Sequence, residues 1–321
     1  MRNFAMLGKW HVHAEGYARE LNSLPDCRIT KVWDADETAA KAWAESLGCQ
    51  SATVEEILSD VSIEGVLVCN ATNEHTDLIL RACRAGKAVF TEKVLALTLK
   101  EAEAIREAVQ ANGTRFAISF PHLSEPWTCF ALDTARSGKL GRLNYVRVRK
   151  AHNGATGNWL PPHFYDPIAC GGGAMVDLGA HPMYLLCDFL GEPRFVQSAF
   201  TFVTGRAVED NAVCTVRFDG GAIGVSETGF VSSGYPFIIE VGGEKGTLLV
   251  REREVTYRCE ETEGKWVTPA LPEALPSPLA EWALAHSAAE IRPEIGIDDA
   301  VRLTRLMEAA YAPDAKCGKE I

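Results

Sequence analysis

The 321-residue sequence contains no run approaching the roughly 20 consecutive apolar residues that cross a bilayer. Its opening MRNFAMLGKW lacks the apolar stretch of a secretory signal. A membrane protein is excluded on this reading, and a cytoplasmic one is expected. Paired cysteines are missing as well. None of the ten cysteines falls in a Cys-x-x-Cys pair, and Cys69, Cys83, Cys187 and Cys214 lie inside apolar runs. Buried reduced thiols are expected, not a disulfide framework or a zinc site. Positive charge is scarce, with 32 Lys and Arg against 43 Asp and Glu and a net charge of −11. Binding to phosphate backbones needs clustered cations, so nucleic acid is excluded as a partner. The one small basic run, Arg142 to Lys150, alternates with apolar residues and reads as one face of a strand. Internal repeats and low-complexity tracts are absent too.

What is present is an ordinary globular composition, 47% hydrophobic and 23% charged, with room for two domains. Over residues 1–120 strand and helix signals alternate. Short apolar runs at Phe4–Leu7, Arg28–Trp33, Gly65–Asn70 and Lys87–Thr91 are separated by helical stretches such as His13–Leu24 and Thr76–Ala85. Ala40, Trp43, Ala44 and Leu47 repeat at helical spacing, and Thr53…Glu56 and Thr98…Glu101 have the spacing of capping boxes. This pattern predicts a doubly wound parallel sheet. From about residue 120 the texture changes. Leu143–Val148, Phe195–Val203, Ala212–Phe218, Ala222–Thr228, Phe237–Val241 and Thr247–Val250 alternate between turn signals, which predicts an open, mostly antiparallel sheet domain over 121–321. Pro269–Pro278 reads as a loop. Leu303, Leu306, Met307 and Ala310 mark a closing helix.

In a doubly wound sheet, ligands bind beyond the carboxyl ends of the strands, and four groups of residues fall there. The turn Gly8-Lys9-Trp10-His11-Val12-His13 follows the first strand but lacks a GxGxxG fingerprint. Asp34 closes the second strand. A carboxylate there accepts from ribose hydroxyls and repels a 2′-phosphate, favouring NAD over NADP, although an isolated Asp reads first as a helix N-cap or turn residue. Asn70-Ala71-Thr72-Asn73-Glu74-His75 is a polar turn whose small residues can flank a cofactor. Glu92-Lys93 ends the strand Ala88–Thr91. A lysine at a strand tip donates to a substrate oxygen or forms a surface ion pair. His11-Val12-His13 also resembles the opening of zinc amidohydrolases, which need a complete (β/α)₈ barrel. The antiparallel second half provides none, so no metal site is expected.

The richest stretch is Gly171-Gly172-Gly173-Ala174-Met175-Val176-Asp177-Leu178-Gly179-Ala180-His181. Consecutive glycines allow close backbone approach. If a helix begins at Asp177, that acid and His181 share one face, as proton handling on a bound molecule requires. The same residues also read as a capped turn followed by a core histidine. His122, His163 and Asp166 are candidate crevice residues that read equally as surface.

Together these motifs resemble the Gfo/Idh/MocA oxidoreductases, the family of glucose–fructose oxidoreductase and inositol dehydrogenase. The resemblance runs through Asp34, Ala71-Thr72-Asn73…His75, Ala85 to Lys93, Ser137 to Gly141, the glycine–Asp177–His181 motif, Gly243 to Thr247 and Glu308-Ala309-Ala310-Tyr311. It implies a Rossmann domain, an open antiparallel sheet domain, and a last helix, about 298–312, returning to the first domain. It also implies NAD and hydride exchange with a hydroxyl-bearing carbon of a sugar, cyclitol or related polyol. Under it, Lys93 holds the reacting oxygen, His181 is the general acid/base and Asp177 supports that histidine. Gly8, Trp10, His11, Asp34, Asn70, Ala71, Thr72, Asn73, His75, Glu92 and Lys93 line the cofactor. His122, His163 and Asp166 join the three catalytic residues around the substrate, and the glycines bring their loop against the nicotinamide.

Two departures stand out: the first turn is short, with Trp10 and His11 where glycines are usual, and Val94 replaces a proline after Glu92-Lys93. A redox-neutral NAD-dependent glycosidase of the same fold is the alternative activity, and a non-catalytic NAD-linked sensor a further class. A homodimer or homotetramer is expected.

Overall fold

The computed structural model describes residues 1–312 and the backbone of residues 319–320. The chain folds into two compact units. One holds Met1–Phe120 and Pro276–Thr304, the other Pro121–Leu275 and Arg305–Ile321.

The first unit is built on six parallel strands: β1 (Arg2–Leu7), β2 (Cys27–Trp33), β3 (Gln50–Ser51), β4 (Ile63–Val68), β5 (Ala88–Thr91) and β6 (Phe116–Ile118). Their spatial order is β3-β2-β1-β4-β5-β6. Phe4–Leu7, Val66–Val68 and Ala88–Thr91 are wholly buried, as expected of parallel strands covered on both faces. The helices between them begin as the sequence suggests. Thr53 with Glu56 and Thr98 with Glu101 form reciprocal capping boxes. Asp36 accepts from the main-chain N–H groups of Thr38 and Ala39 and so opens the helix Glu37–Leu47.

The second segment of this unit holds a helix, Pro278–Leu284, that follows the Pro269–Pro278 loop and has no counterpart in the sequence reading. Its Trp282 is fully buried, with ring centroids 5.1 Å from Phe4 and 5.7 Å from Phe90. The indole N–H donates to the carbonyl of Arg115 (3.2 Å). A Cβ on Gly65 would lie 2.8 Å from this indole, so glycine makes room for it.

The second unit is one eight-stranded sheet, with β7 (Leu143–Ala151), β8 (Pro193–Thr201), β9 (Asn211–Phe218), β10 (Ile223–Gly229), β11 (Ile238–Gly243), β12 (Thr247–Arg251), β13 (Glu254–Arg258) and β14 (Lys319–Glu320). The order is β13-β12-β11-β7-β10-β9-β8-β14. Every pairing is antiparallel except β7 with β10. The expected antiparallel character is therefore right, and the parallel centre and the outer strands β13 and β14 are additions to it. The helix Ala180–Leu190 packs on β7 and β10, with every residue from Ala180 to Cys187 buried. The closing helix Ile297–Tyr311 contributes residues to both units. The nine described cysteines are free thiols. No helix among the described residues is long and apolar enough to cross a membrane.

Candidate functional site

In the first unit the strand order reverses between β1 and β4, and that switch point is where open α/β sheets bind ligands. Two turns flank it. Gly8, at φ +86°, leaves β1 directly against Asn70, where a Cβ would come within 2.5 Å of the Asn70 Cβ. Four main-chain donors of this turn are already committed. Gly8 N–H goes to the Trp33 carbonyl (2.8 Å), Lys9 N–H to Asp34 Oδ2 (2.8 Å), His11 N–H to the Cys69 carbonyl (2.9 Å) and His13 N–H to His11 Nδ1 (3.3 Å). Asp34 also accepts from Asp36 N–H through Oδ1 (3.0 Å), which leaves lone pairs on both oxygens.

In the turn after β4, Ala71 is buried, Thr72 half-buried and Asn73 exposed. Asn70 donates to Glu74, and its Oδ1 is buried with no hydrogen-bond partner. An orphaned acceptor beside the switch point suits a bound group that brings its own donor. His75 departs from expectation. Its ring is fully enclosed, with Nδ1 3.1 Å from the Val94 carbonyl and Nε2 3.2 Å from the Asn70 carbonyl. It ties the turn to the segment after β5, and no face of the ring is left to touch a cofactor. Burial pushes its pKa down.

Beyond β5, Glu92 is buried at the centre of a cluster that sequence reading did not assemble. His13 Nδ1 donates to its Oε1 (2.8 Å), the Tyr17 hydroxyl donates to the same oxygen, and Lys93 N–H donates to Oε2 (3.0 Å). Tyr17 in turn meets Ser119 Oγ (2.7 Å). Burial alone would raise the Glu92 pKa, but the neighbouring imidazoles of His11 and His13, the latter through its hydrogen bond, and the Lys93 ammonium outweigh it and hold the carboxyl well below its ordinary value. His11, His13 and Glu92 each place a ligand atom within 4.8 Å of the others, close enough to surround a metal ion. Here the same atoms satisfy one another: His11 Nδ1 accepts the His13 N–H, and Glu92 accepts from His13 and Tyr17. Lys93 is buried, and the Lys93–Val94 peptide is cis. Trp10 is half-buried, its ring 6.4 Å from that of His11.

In the second unit Asp177 and His181 do not share one helix. A short helix, Ala174–Asp177, ends at Leu178, and a new one starts at Ala180. The joint is tight because Gly179 lies on Met175, whose carbonyl would be 2.6 Å from an added Cβ. Asp177 is half-buried and His181 is buried. His181 Nδ1 faces the Tyr184 hydroxyl (3.3 Å). The Tyr184 hydroxyl also accepts the His122 main-chain N–H (3.2 Å). The His122 ring stands edge-on to His181 (5.0 Å, 79°) and is stacked on Phe237 (4.7 Å, 13°). Lys150 donates to His122 Nε2 (2.8 Å). Burial first, and then Lys150, push the His122 pKa well down.

Thus His122 and His181 come together, joined by Tyr184 and Lys150, which the sequence did not single out. Lys150 looked like one solvated charge of a strand face, and nothing local marked it. Asp166 instead caps the helix Pro167–Cys170 through Ile168 and Ala169 N–H (2.8 and 3.2 Å). His163 is exposed one turn before it. Gly172 and Gly173 have close neighbours within their own unit, Tyr311 and Glu209, so contact between protein segments already accounts for them.

Comparison with known proteins agrees with this architecture. Residues 2–120 match the oxidoreductase-family model with an NAD-binding Rossmann fold, and residues 131–249 match the GFO/IDH/MocA C-terminal domain. The chain is 31% identical to 1,5-anhydro-D-fructose reductase of Ensifer adhaerens, over 80% of this chain and 78% of that one. It is 27% identical to inositol 2-dehydrogenase of Rhizobium meliloti (strain 1021), over 81% and 79%. Among solved structures, levoglucosan dehydrogenase in complex with NADH superimposes with a TM-score of 0.85 at 18% identity, covering 100% and 99% of the two chains. Aldose-aldose oxidoreductase from Caulobacter crescentus, complexed with glycerol, gives 0.84 at 19% identity, covering 100% and 99%. The fold and these matches define an NAD-dependent oxidoreductase. The chain belongs to the Gfo/Idh/MocA family and is an enzyme of the dehydrogenase class.

Proposed function

We propose that the enzyme interconverts a secondary hydroxyl of a cyclitol, sugar or related polyol and the corresponding ketone. The observation that carries this reading is the wall of His122, Lys150, His181 and Tyr184. It joins an imidazole whose Nδ1 faces a tyrosine hydroxyl to further hydrogen-bonding groups, as a polyhydroxylated ligand requires. Relatives named for inositol and for 1,5-anhydro-D-fructose support the substrate class. Bound NAD supplies the hydride acceptor or donor.

The residues of the first unit fit that cofactor. Asp34 has lone pairs for ribose hydroxyls and a charge unfavourable to a 2′-phosphate, and Asn70 Oδ1 awaits a donor. Lys93 holds the reacting oxygen as alkoxide character develops. His181 takes the hydroxyl proton, and Asp177 orients substrate and imidazole. Gly8, Trp10, His11, Ala71, Thr72 and Asn73 border the cofactor from the two turns. A dimer or tetramer through the sheet face bearing Tyr145, Val213 and Ile223, all partly exposed, is part of the same proposal.

The test is a panel of inositols, aldoses and anhydrosugars with NAD and with NADP, followed at 340 nm. Stoichiometric NADH from a polyol is the expected result. Release of an aglycone from a glycoside without accumulating NADH would identify the glycosidase instead. Light scattering of the purified protein reads the assembly.

A further inference from the structure

A helix opens with main-chain N–H groups that have no partner inside it. At the helix Ala174–Asp177, which ends on the proposed Asp177, all of these donors are taken by two residues far away in the chain. Gly173 N–H donates to both carboxylate oxygens of Glu209 (3.1 and 3.0 Å), and Met175 N–H donates to Oε1 (2.8 Å). Ala174 N–H donates to the Glu209 carbonyl (2.9 Å). Val176 N–H donates to the Tyr311 hydroxyl (3.0 Å), which itself donates to Glu209 Oε1 (2.6 Å). Only at Asp177 does the helix supply its own acceptor, the Gly173 carbonyl at 3.1 Å.

The consecutive glycines follow from the same packing. A Cβ on Gly172 would overlap the Tyr311 hydroxyl, and one on Gly173 would overlap the Glu209 carbonyl oxygen. Beyond Asp177 the rigidity continues. The Ala174 carbonyl accepts from Leu178 and Gly179 N–H (3.0 and 2.9 Å), and Gly179 leads directly into the helix bearing His181.

We propose that Glu209 and Tyr311 are positioning residues of the reaction. As one hydrogen-bonded unit they cap the glycine turn and set where Asp177 and His181 stand. This inference rests on the reading of those two residues as the acid–base site. A buried carboxylate taking charge-assisted bonds from main-chain donors is among the stronger anchors available to a loop. Glu209→Gln places an amide N–H₂ against N–H donors, and Tyr311→Phe removes both the donor to Glu209 and the acceptor for Val176. Both variants keep side-chain volume.

The experiment measures Glu209→Gln, Tyr311→Phe and the double variant in three ways: amide hydrogen exchange of residues 173–176, the ¹³C-imidazole NMR titration of His181, and kcat and KM on a polyol turned over by the wild type. The expected result is exchange at least tenfold faster, a displaced His181 titration midpoint and kcat lowered at least tenfold. NAD affinity by direct titration stays within twofold, and the double variant is no slower than the slower single one. Faster exchange with an unchanged His181 titration and unchanged kcat would overturn the proposal, because the two residues would then support only local stability. If the wild type turns over no polyol, the proposed function fails separately, and the His181 titration still decides: a displaced midpoint supports positioning and an unmoved one refutes it. Should Glu209→Gln not fold, Tyr311→Phe carries the same test.

Discussion

Replacing Trp282 with alanine tests whether the segment 276–304 is a working part of the first unit's core. The indole is fully buried between Phe4 and Phe90, with Arg115 stacked at 5.6 Å and Gly65 kept bare to admit it. A buried tryptophan removes about 150–250 Å² from water, and its truncation costs about 3–5 kcal/mol in well-packed cores. The neighbours here are β1, β4 and β5 of a hydrogen-bonded sheet, which cannot collapse into the space. Loss of the indole N–H also strands the Arg115 carbonyl, adding about 1 kcal/mol or more. The expected destabilisation is therefore at the upper end, about 4–5 kcal/mol. Urea unfolding followed by circular dichroism reads it, with Leu284→Ala, at an exposed position of the same helix, changing stability by less than about 0.5 kcal/mol. A loss below about 2 kcal/mol for Trp282→Ala would refute this account of the core.

Three further outcomes are expected. Lys93→Met lowers kcat by about 100-fold or more while NAD still binds by direct titration, since the lysine acts on the reacting oxygen; equal loss of both would assign it to cofactor binding. Asp34→Ser narrows the preference for NAD over NADP by about tenfold, read as the ratio of kcat/KM values, and an unchanged ratio would remove Asp34 from the ribose site. The third concerns acid. Because burial and Lys150 depress the His122 pKa in the folded protein, the unfolded chain takes up its proton first as pH falls through about 6.5. Stability then declines with acid below that point, and His122→Leu flattens the decline, as urea midpoints at pH 7.5 and 5.5 will show. Parallel declines in wild type and variant would contradict the assignment.

What the sequence showed and what it concealed divide along chain distance. The parallel half was legible because Phe4–Leu7 and Ala88–Phe90 are apolar throughout, and because a capping box such as Thr98 with Glu101 closes within one turn. Asp34 and Lys93 were legible as strand tips. The hidden features depend on partners remote in sequence: the pairing of β7 with β10, Trp282 on β1, Lys150 on His122 and Glu209 on Gly173. The break between Asp177 and His181 was hidden for a nearer reason. A helical pattern tolerates Gly179, and only its packing on Met175 shows the chain turning there. His75 misled because a polar residue in a site-facing turn looks the same whether its ring points outward or locks the turn from inside.

The central position of β7 has a consequence for biosynthesis. Its two neighbours, β10 and β11, come much later in the chain, with Tyr145 paired to Ile223 and Arg149 to Ile238. During translation this strand therefore emerges with both edges open, the state most prone to cross-pairing with another nascent chain. Arg147, Arg149 and Lys150 place cations along it, the kind of residue that discourages edge-to-edge pairing of an open strand. In the finished sheet Arg147 pairs with Glu227 of β10 and Glu240 of β11, so such charges also become the strand's register marks.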